Sequence, residues 1–304
     1  MEAKLPNFLL VGTAKSGTTS LYHYLKQHPE VYMSEMKEPR FFASSIFKKL
    51  NHNDPRYEIV LKSAAFTLED YIKLFENVRK ERAIGEATVI YLYFYKIAIH
   101  EIKKYLGDVK IIIILRNPID RAFSAYTYLL RDRFETLSFE KCLETEKERI
   151  RANWSPTYFL KDLGFYYKQV KAYIENFSQV RIYLYDDLKK YSLDLIKNVY
   201  EFLEVDHSFV PDMSIKYNTS SIPRIRILQE LLFEYKPLKK TLRTLFLNAV
   251  GKEKTEKLIN YFKDKNSKKI NMEPKTRRYL VELYRDDILM LQSLIKRDLS
   301  DWLK

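Results

Sequence analysis

The stretch FLLVGTAKSGTT, residues 8–19, decides the fold. It opens with an apolar run of the length a buried strand requires, and a glycine-bounded turn follows before the pattern changes to that of a helix, TTSLYHYLKQH. Strand, glycine-bounded turn and helix in that order frame a phosphate-binding loop, because backbone N–H groups of the turn and the helix N-terminus converge on one anion. Gly12-x4-Gly17 has the spacing of an ATP-type loop, but Thr18 stands where the lysine belongs, and the lysine sits inside the loop at Lys15. Glycine is scarce, at six in 304 residues, so the two that bound this turn stand out.

A second strand end sharpens the question. VKIIIIL, residues 109–115, is the clearest buried strand in the chain, and it ends in Arg116. In an ATP site the corresponding strand ends in an aspartate that helps hold Mg²⁺. Here that carboxylate is exchanged for a planar cation that can fork onto a phosphate. The pair predicts a phosphorylated ligand bound without a metal. AIGEA and QVRIYLY read as further strands, and strands alternating with helices argue a parallel sheet with ligands at its carboxyl edge. The expected fold is α/β: a P-loop-like three-layer α/β/α domain spanning 1–304, with a central, mostly parallel sheet and a helix-rich C-terminal third. Residues 34–65, with Pro39 and Pro55, read as irregular. SPTYFLKDLGFYYKQVKAYIENF reads as one helix capped by Ser155 with Pro156 at its start.

Composition bounds the setting. A net charge of +13 favours anionic partners. Most lysines nevertheless fall in patterns such as EKCLETEKERIRAN, which read as solvated helix faces. No zinc-ligand cluster, RNP pattern or helix-turn-helix signature accompanies the charge, so no dedicated nucleic-acid binding is expected. The single cysteine, Cys142, suits a reducing compartment. The longest apolar run, IIIIL, is of strand length, so no membrane span is expected and the chain reads as cytoplasmic.

KSGTT after a strand, KEPRFF about twenty residues on, and ILRNPIDRAFSAY together resemble the PAPS-dependent sulfotransferases, in their heparan-sulfate-type branch and its stand-alone bacterial relatives. The likeness continues through GEAT, LGFYYKQVKAYIENFSQVRIYLYDDL, FLEV and YRDDILMLQSLIKRDLSDWL, covering nearly the whole chain. It implies a donor, 3′-phosphoadenosine 5′-phosphosulfate, whose product is 3′,5′-ADP, with no metal. Lys15, Ser16, Gly17, Thr18 and Thr19 would form the 5′-phosphosulfate site, with Lys15 reaching the oxygen that bridges phosphorus and sulfur. Arg116 and Ser124 match the 3′-phosphate clamp, with Arg121 a weaker addition. Glu38 aligns with the catalytic glutamate of the family, and Glu86 is a second candidate base. The acceptor would be a hydroxyl or amine of a saccharide or small molecule. Val89-Ile90 stands where the family often has proline or alanine-asparagine, so the acceptor side carries over less well.

Other residues divide between chemistry and packing. His23 and His28 do not match the histidine base of the hormone-sulfating branch, and structural or surface roles are expected for them. Trp154, Tyr158, Tyr91, Tyr93 and Phe94 could wall an acceptor pocket, with core packing the default. Lys265, Lys268 and Lys269 are candidates for the family's C-terminal donor loop, although the expected glycine, Tyr-Pro and disulfide are missing. Two competing readings remain: a P-loop kinase or NTPase with a shifted lysine, and a non-catalytic polyanion-binding protein.

Overall fold

The structure, a computed structural model, describes residues 4–214 and 270–304, together with the backbone of 222–223 and 267–268. Contacts divide the chain into two units. The first comprises residues 1–126, 137–219 and 272–304, and the second residues 127–136 and 220–271.

The first unit is built on five parallel strands: β1 (Phe8–Gly12), β2 (Val31–Met33), β3 (Ala83–Ala87), β4 (Lys110–Leu115) and β5 (Val180–Leu184), in the order β2-β3-β1-β4-β5. β1 sits at the centre and all five of its residues are buried, as a strand covered on both faces must be. β2 is too short to show in a sequence pattern, and went unread there. Among the described residues the helices are α1 (Thr18–Leu25), α2 (Ser44–Phe47), α3 (Tyr57–Lys62), α4 (Leu68–Lys73), α5 (Tyr95–Leu106), α6 (Pro118–Arg131), α7 (Phe139–Arg151), α8 (Tyr167–Asn176), α9 (Tyr185–Lys190), α10 (Ser192–Leu203) and α11 (Pro274–Ile295).

The strand order fixes the layers. The chain leaves β1 through α1 towards β2 on one side, and leaves β3 through α5 towards β4 on the other. Right-handed crossovers running in opposite directions put α1 and α5 on opposite faces. On the first face Leu21, Tyr22 and Leu25 of α1 and Ile196, Val199 and Tyr200 of α10 cover Phe8, Leu10, Ile112 and Ile114. The alternate residues Leu9, Val11, Ile111 and Ile113 point the other way and are equally buried. α5 packs on α8, and α8 on α11. In the second unit Ile222–Pro223 pairs antiparallel with Ser267–Lys268.

Two segments differ from the sequence expectation. Residues 34–65 contain α2, α3 and a 3-10 turn at Phe41–Ala43, so the stretch is broken helix rather than irregular chain. SPTYFLKDLGFYYKQVKAYIENF is not one helix: it makes 3-10 turns at Pro156–Tyr158 and Asp162–Gly164, and α8 begins only at Tyr167. Buried Glu146 of α7 takes the N–H groups of Lys161 and Asp162, each at 2.7 Å, and Tyr284 donates to the Lys161 carbonyl at 2.8 Å. Those bonds from outside the segment replace the ladder a continuous helix would need. Ser155 makes no side-chain cap. Among the described residues no helix is long and apolar enough to cross a membrane.

Gly85 of β3 is set against Phe8 of β1. A Cβ there would lie 2.2 Å from the Phe8 ring. Gly85→Ala is expected to cost about 2 kcal/mol of overpacking, read by urea unfolding. Combining it with Phe8→Leu, which vacates that space, is expected to return about 1 kcal/mol of the loss.

Candidate active site

The loop after β1 is shaped by its own bonds. Thr13 donates its N–H to the Ile114 carbonyl of β4 at 2.7 Å, and the Ser16 hydroxyl donates back to the Thr13 carbonyl at 2.6 Å. Lys15 and Gly17 both take left-handed backbone conformations, with φ of 68° and 86°. Gly17 is the N-cap of α1 and supplies no side chain to its first turn, which also holds no acidic residue. The N-terminal amides of α1 therefore have no side-chain cap, and the two left-handed residues curl the loop in front of them, a geometry suited to an anion. Ser16 is fully buried with its proton committed to the loop, while Thr19 and Lys15 are half-buried.

Arg116, just past β4, closes the other side. Its Nη1 donates to the Lys15 carbonyl at 2.9 Å, and its guanidinium stacks 4.7 Å above the Tyr185 ring. An arginine has five N–H donors, so one such bond leaves capacity for a phosphate. Tyr185 begins α9 directly after β5, and its ring lies beside the loop: a Cβ on Gly17 would meet it at 3.2 Å. Sequence reasoning missed Tyr185. Its signal was its place, the first residue beyond a parallel strand's carboxyl end. Ser124 lies on α6, two turns beyond Arg116 and buried; Arg121, one turn before it, is also buried and donates from Nη2 to the Leu160 carbonyl.

The carboxylates lie on the other side of β1, over β2 and β3. β2 is two strands from β1, about 10 Å at ordinary strand spacing. Glu38 follows β2 and has a left-handed backbone of φ 65°. Its N–H donates to the Ala87 carbonyl at 2.9 Å, its own carbonyl accepts Arg40 Nη1 at 2.9 Å, and its carboxylate holds Lys37 Nζ at 3.1 Å. The Glu38 side chain keeps 19% exposure, so it can reach a ligand. Arg40 is pinned in turn to the carbonyl and hydroxyl of Ser63, each at 2.8 Å.

Glu86 has a different environment. It is fully buried near the end of β3, accepting the Thr88 hydroxyl at 2.7 Å and the Tyr71 hydroxyl at 3.4 Å, with Tyr91 also bonded to it. Around it Phe41, Phe42, Tyr71 and Tyr91 form a ring cluster with centroids 4.6–5.5 Å apart. Burial pushes the Glu86 carboxyl up to about 7; the nearby Glu38 charge adds to this and the hydroxyl bonds oppose it. Thr88 and Tyr91 also receive the main-chain N–H groups of Arg40 and Phe42, at 3.3 and 3.1 Å. The buried carboxylate thus sits behind the loop that carries Glu38.

The other sequence candidates are mostly packing residues. His28 is buried between Tyr200 and Phe209; its Nδ1 accepts the Glu30 N–H and its Nε2 donates to the Asp206 carbonyl, a structural role. Tyr91 and Tyr158 are fully buried core residues, whereas Trp154, Tyr93 and Phe94 are half-buried. Lys265 and Lys269 lie outside the described residues, as does the side chain of Lys268.

Because the strands are parallel, the loops after β1, β2, β4 and β5 lie along one carboxyl edge. The family model described as "Sulfotransferase domain" matches residues 5–293. The chain belongs to the sulfotransferase family. Among solved structures, the sulfotransferase of Alicyclobacillus acidocaldarius superposes with a TM-score of 0.74 at 32% identity, covering 99% of this chain and 100% of that one. The "Membrane-associated sulfotransferase kil1" of Dictyostelium discoideum is 32% identical over 155 residues, 48% of this chain and 29% of its own length. The mouse "Heparan sulfate glucosamine 3-O-sulfotransferase 3B1" is 27% identical over 176 residues, 57% of this chain. That match spans 39% of the mouse protein.

The Glu86 enclosure has a measurable consequence for the sulfotransferase chain. Its folded carboxyl lies above the ordinary value of 4.5, so its contribution to stability is complete below 4.5 and is lost as pH rises through about 7. Glu86→Gln removes that titration. Urea unfolding at pH 5 and pH 8 is expected to show the wild type losing on the order of 2 kcal/mol relative to the variant. A constant difference between the two proteins across that range would refute the buried state.

Proposed function

We propose that this protein transfers a sulfuryl group from 3′-phosphoadenosine 5′-phosphosulfate to a hydroxyl or amine of a saccharide or small-molecule acceptor, within one catalytic domain spanning the chain. The observation that carries this reading is the Arg116 guanidinium set 2.9 Å from the Lys15 carbonyl. It places a fixed cation at the strand end where a metal-dependent nucleotide site keeps a carboxylate. A cradle for one anion and an arginine beside it suit a nucleotide carrying anionic groups at both its 5′ and 3′ ends. The donor supplies an activated sulfuryl group and leaves as 3′,5′-ADP.

The residues then take distinct roles along the sheet edge. The backbone amides of Lys15 to Thr19 and the hydroxyls of Thr18 and Thr19 hold the 5′ end, while Ser16 keeps the loop closed. Lys15 meets the charge left on the bridging oxygen as its bond to sulfur breaks. Arg116 and Ser124 hold the 3′-phosphate, and Tyr185 supports the Arg116 plane by cation–π contact. Glu38 takes the acceptor proton as the new bond to sulfur forms. Glu86, enclosed as it is, serves Glu38 by fixing its loop. The buried single cysteine and the charge of +13 fit a cytoplasmic protein with an anionic donor.

Transfer from radiolabelled donor to a panel of saccharide, phenol, alcohol, amine and guanidine acceptors is the direct test, run beside Mg²⁺-dependent ATP hydrolysis. Label transfer without hydrolysis is the expected result; hydrolysis without transfer would assign the site to a nucleotidase instead, and tight 3′,5′-ADP binding without transfer to a polyanion-binding protein. Lys15→Ala is expected to abolish transfer while thermal unfolding is unchanged, and survival of more than about a tenth of the rate removes Lys15 from its role. Arg116→Glu is expected to weaken 3′,5′-ADP binding by at least ~3 kcal/mol in calorimetry.

A further inference from the structure

Tyr166 stands immediately before α8 with its ring fully buried. Its hydroxyl donates to the Arg116 carbonyl at 3.0 Å, and the Thr13 side chain lies next to that hydroxyl. Thr13 is the first residue beyond β1, and Arg116 the first beyond β4. One phenol therefore spans two neighbouring strand ends, packed beside Thr13 and bonded to the Arg116 carbonyl.

The bridge is held from behind. The Tyr166 N–H donates at 2.8 Å to Asp287 of α11, and its ring meets Trp302 edge-on with centroids 6.4 Å apart. The Trp302 carbonyl in turn receives the Asn117 side chain at 3.5 Å, so the residue after Arg116 is tied to the same block. Burial pushes the Tyr166 hydroxyl up to about 12 against the pull of Arg121 and Arg116, so it remains a protonated donor near neutral pH. Arg116 is thereby fixed at three points: its carbonyl by Tyr166, one guanidinium nitrogen by the Lys15 carbonyl, and its plane by Tyr185.

We propose that Tyr166 is a positioning residue for the donor, setting the Arg116 guanidinium at a fixed separation from the phosphate loop so that the site selects a nucleotide phosphorylated at both its 3′ and its 5′ ends. This inference rests on the donor reading above. A cradle and a cation on separate strand ends grip two phosphates of one ligand only if their spacing is held. A phenol bonded to the Arg116 carbonyl and packed beside Thr13 holds it without touching the ligand.

Calorimetric titration of the whole protein with 3′,5′-ADP and with 5′-AMP tests this. The wild type is expected to bind 3′,5′-ADP at least tenfold more tightly than 5′-AMP, roughly the share of one charge-assisted phosphate contact. Tyr166→Phe keeps the ring and removes one hydrogen bond; it is expected to weaken 3′,5′-ADP about tenfold while leaving 5′-AMP within about twofold. In an Arg116→Ala background the same change is expected to add nothing, because its effect runs through Arg116. Equal weakening of both nucleotides, unchanged binding of both, or a full additional loss on top of Arg116→Ala assigns Tyr166 to packing and overturns the proposal. A wild type that does not distinguish the two nucleotides overturns the donor reading itself and the proposal with it. Should Tyr166→Phe fail to fold, Asp287→Asn weakens the anchor on the Tyr166 N–H and is expected to give the same selective loss.

Discussion

The bond from Arg116 to the Lys15 carbonyl is the constraint around which the site is built. It joins a cation at the end of β4 to the loop that follows β1, and these strands are neighbours at the centre of the sheet. A cation in that place adds positive charge to the edge, and the uncapped amides of α1 add to it. The anion preference proposed for the edge rests on backbone geometry and one side chain acting together. Neither half would have much selectivity alone, since a glycine turn binds many phosphates and a lone arginine binds many anions.

The Glu38 side of the edge is built on a different principle. Glu38 is exposed enough to meet a substrate, yet its backbone is tied to β3 through the Ala87 carbonyl and its neighbours through Ser63, Thr88 and Tyr91. Two left-handed residues, Glu38 and Arg40, hold a tight loop that other residue types would close at lower strain. The hydrogen bonds from three directions offset that strain. Glu86 lies at the centre of this support and has no exposed surface of its own. Two carboxylates near one site thus occupy opposite environments, one accessible and one sealed.

Much of this was legible in the chain before folding. FLLVG and KIIIIL showed themselves as central strands because a strand buried on both faces has no polar alternation to keep. The loop spacing and Arg116 pointed to an anion site because amides and guanidinium groups recognise phosphate. Other parts could not be read. Three-residue β2 is below the length at which a period shows, and the supposed long helix from Ser155 is interrupted by Glu146, which lies on another helix. Tyr166 and Tyr185 look like two more tyrosines among 24, and only their neighbours give them a purpose.

By itself the sequence determined the layered α/β class, the phosphate loop, the substitution of arginine for a metal-holding carboxylate, and the family likeness. These are local properties, set by hydrophobic period and by the chemistry of single side chains. Only the tertiary structure decided that Glu38 is reachable while Glu86 is enclosed, that the Ser16 hydroxyl turns inward to Thr13, and that one buried phenol holds the Arg116 carbonyl. Solvent exposure and hydrogen-bond partnership depend on residues a hundred or more positions away, and a linear chain carries no record of which of them will meet.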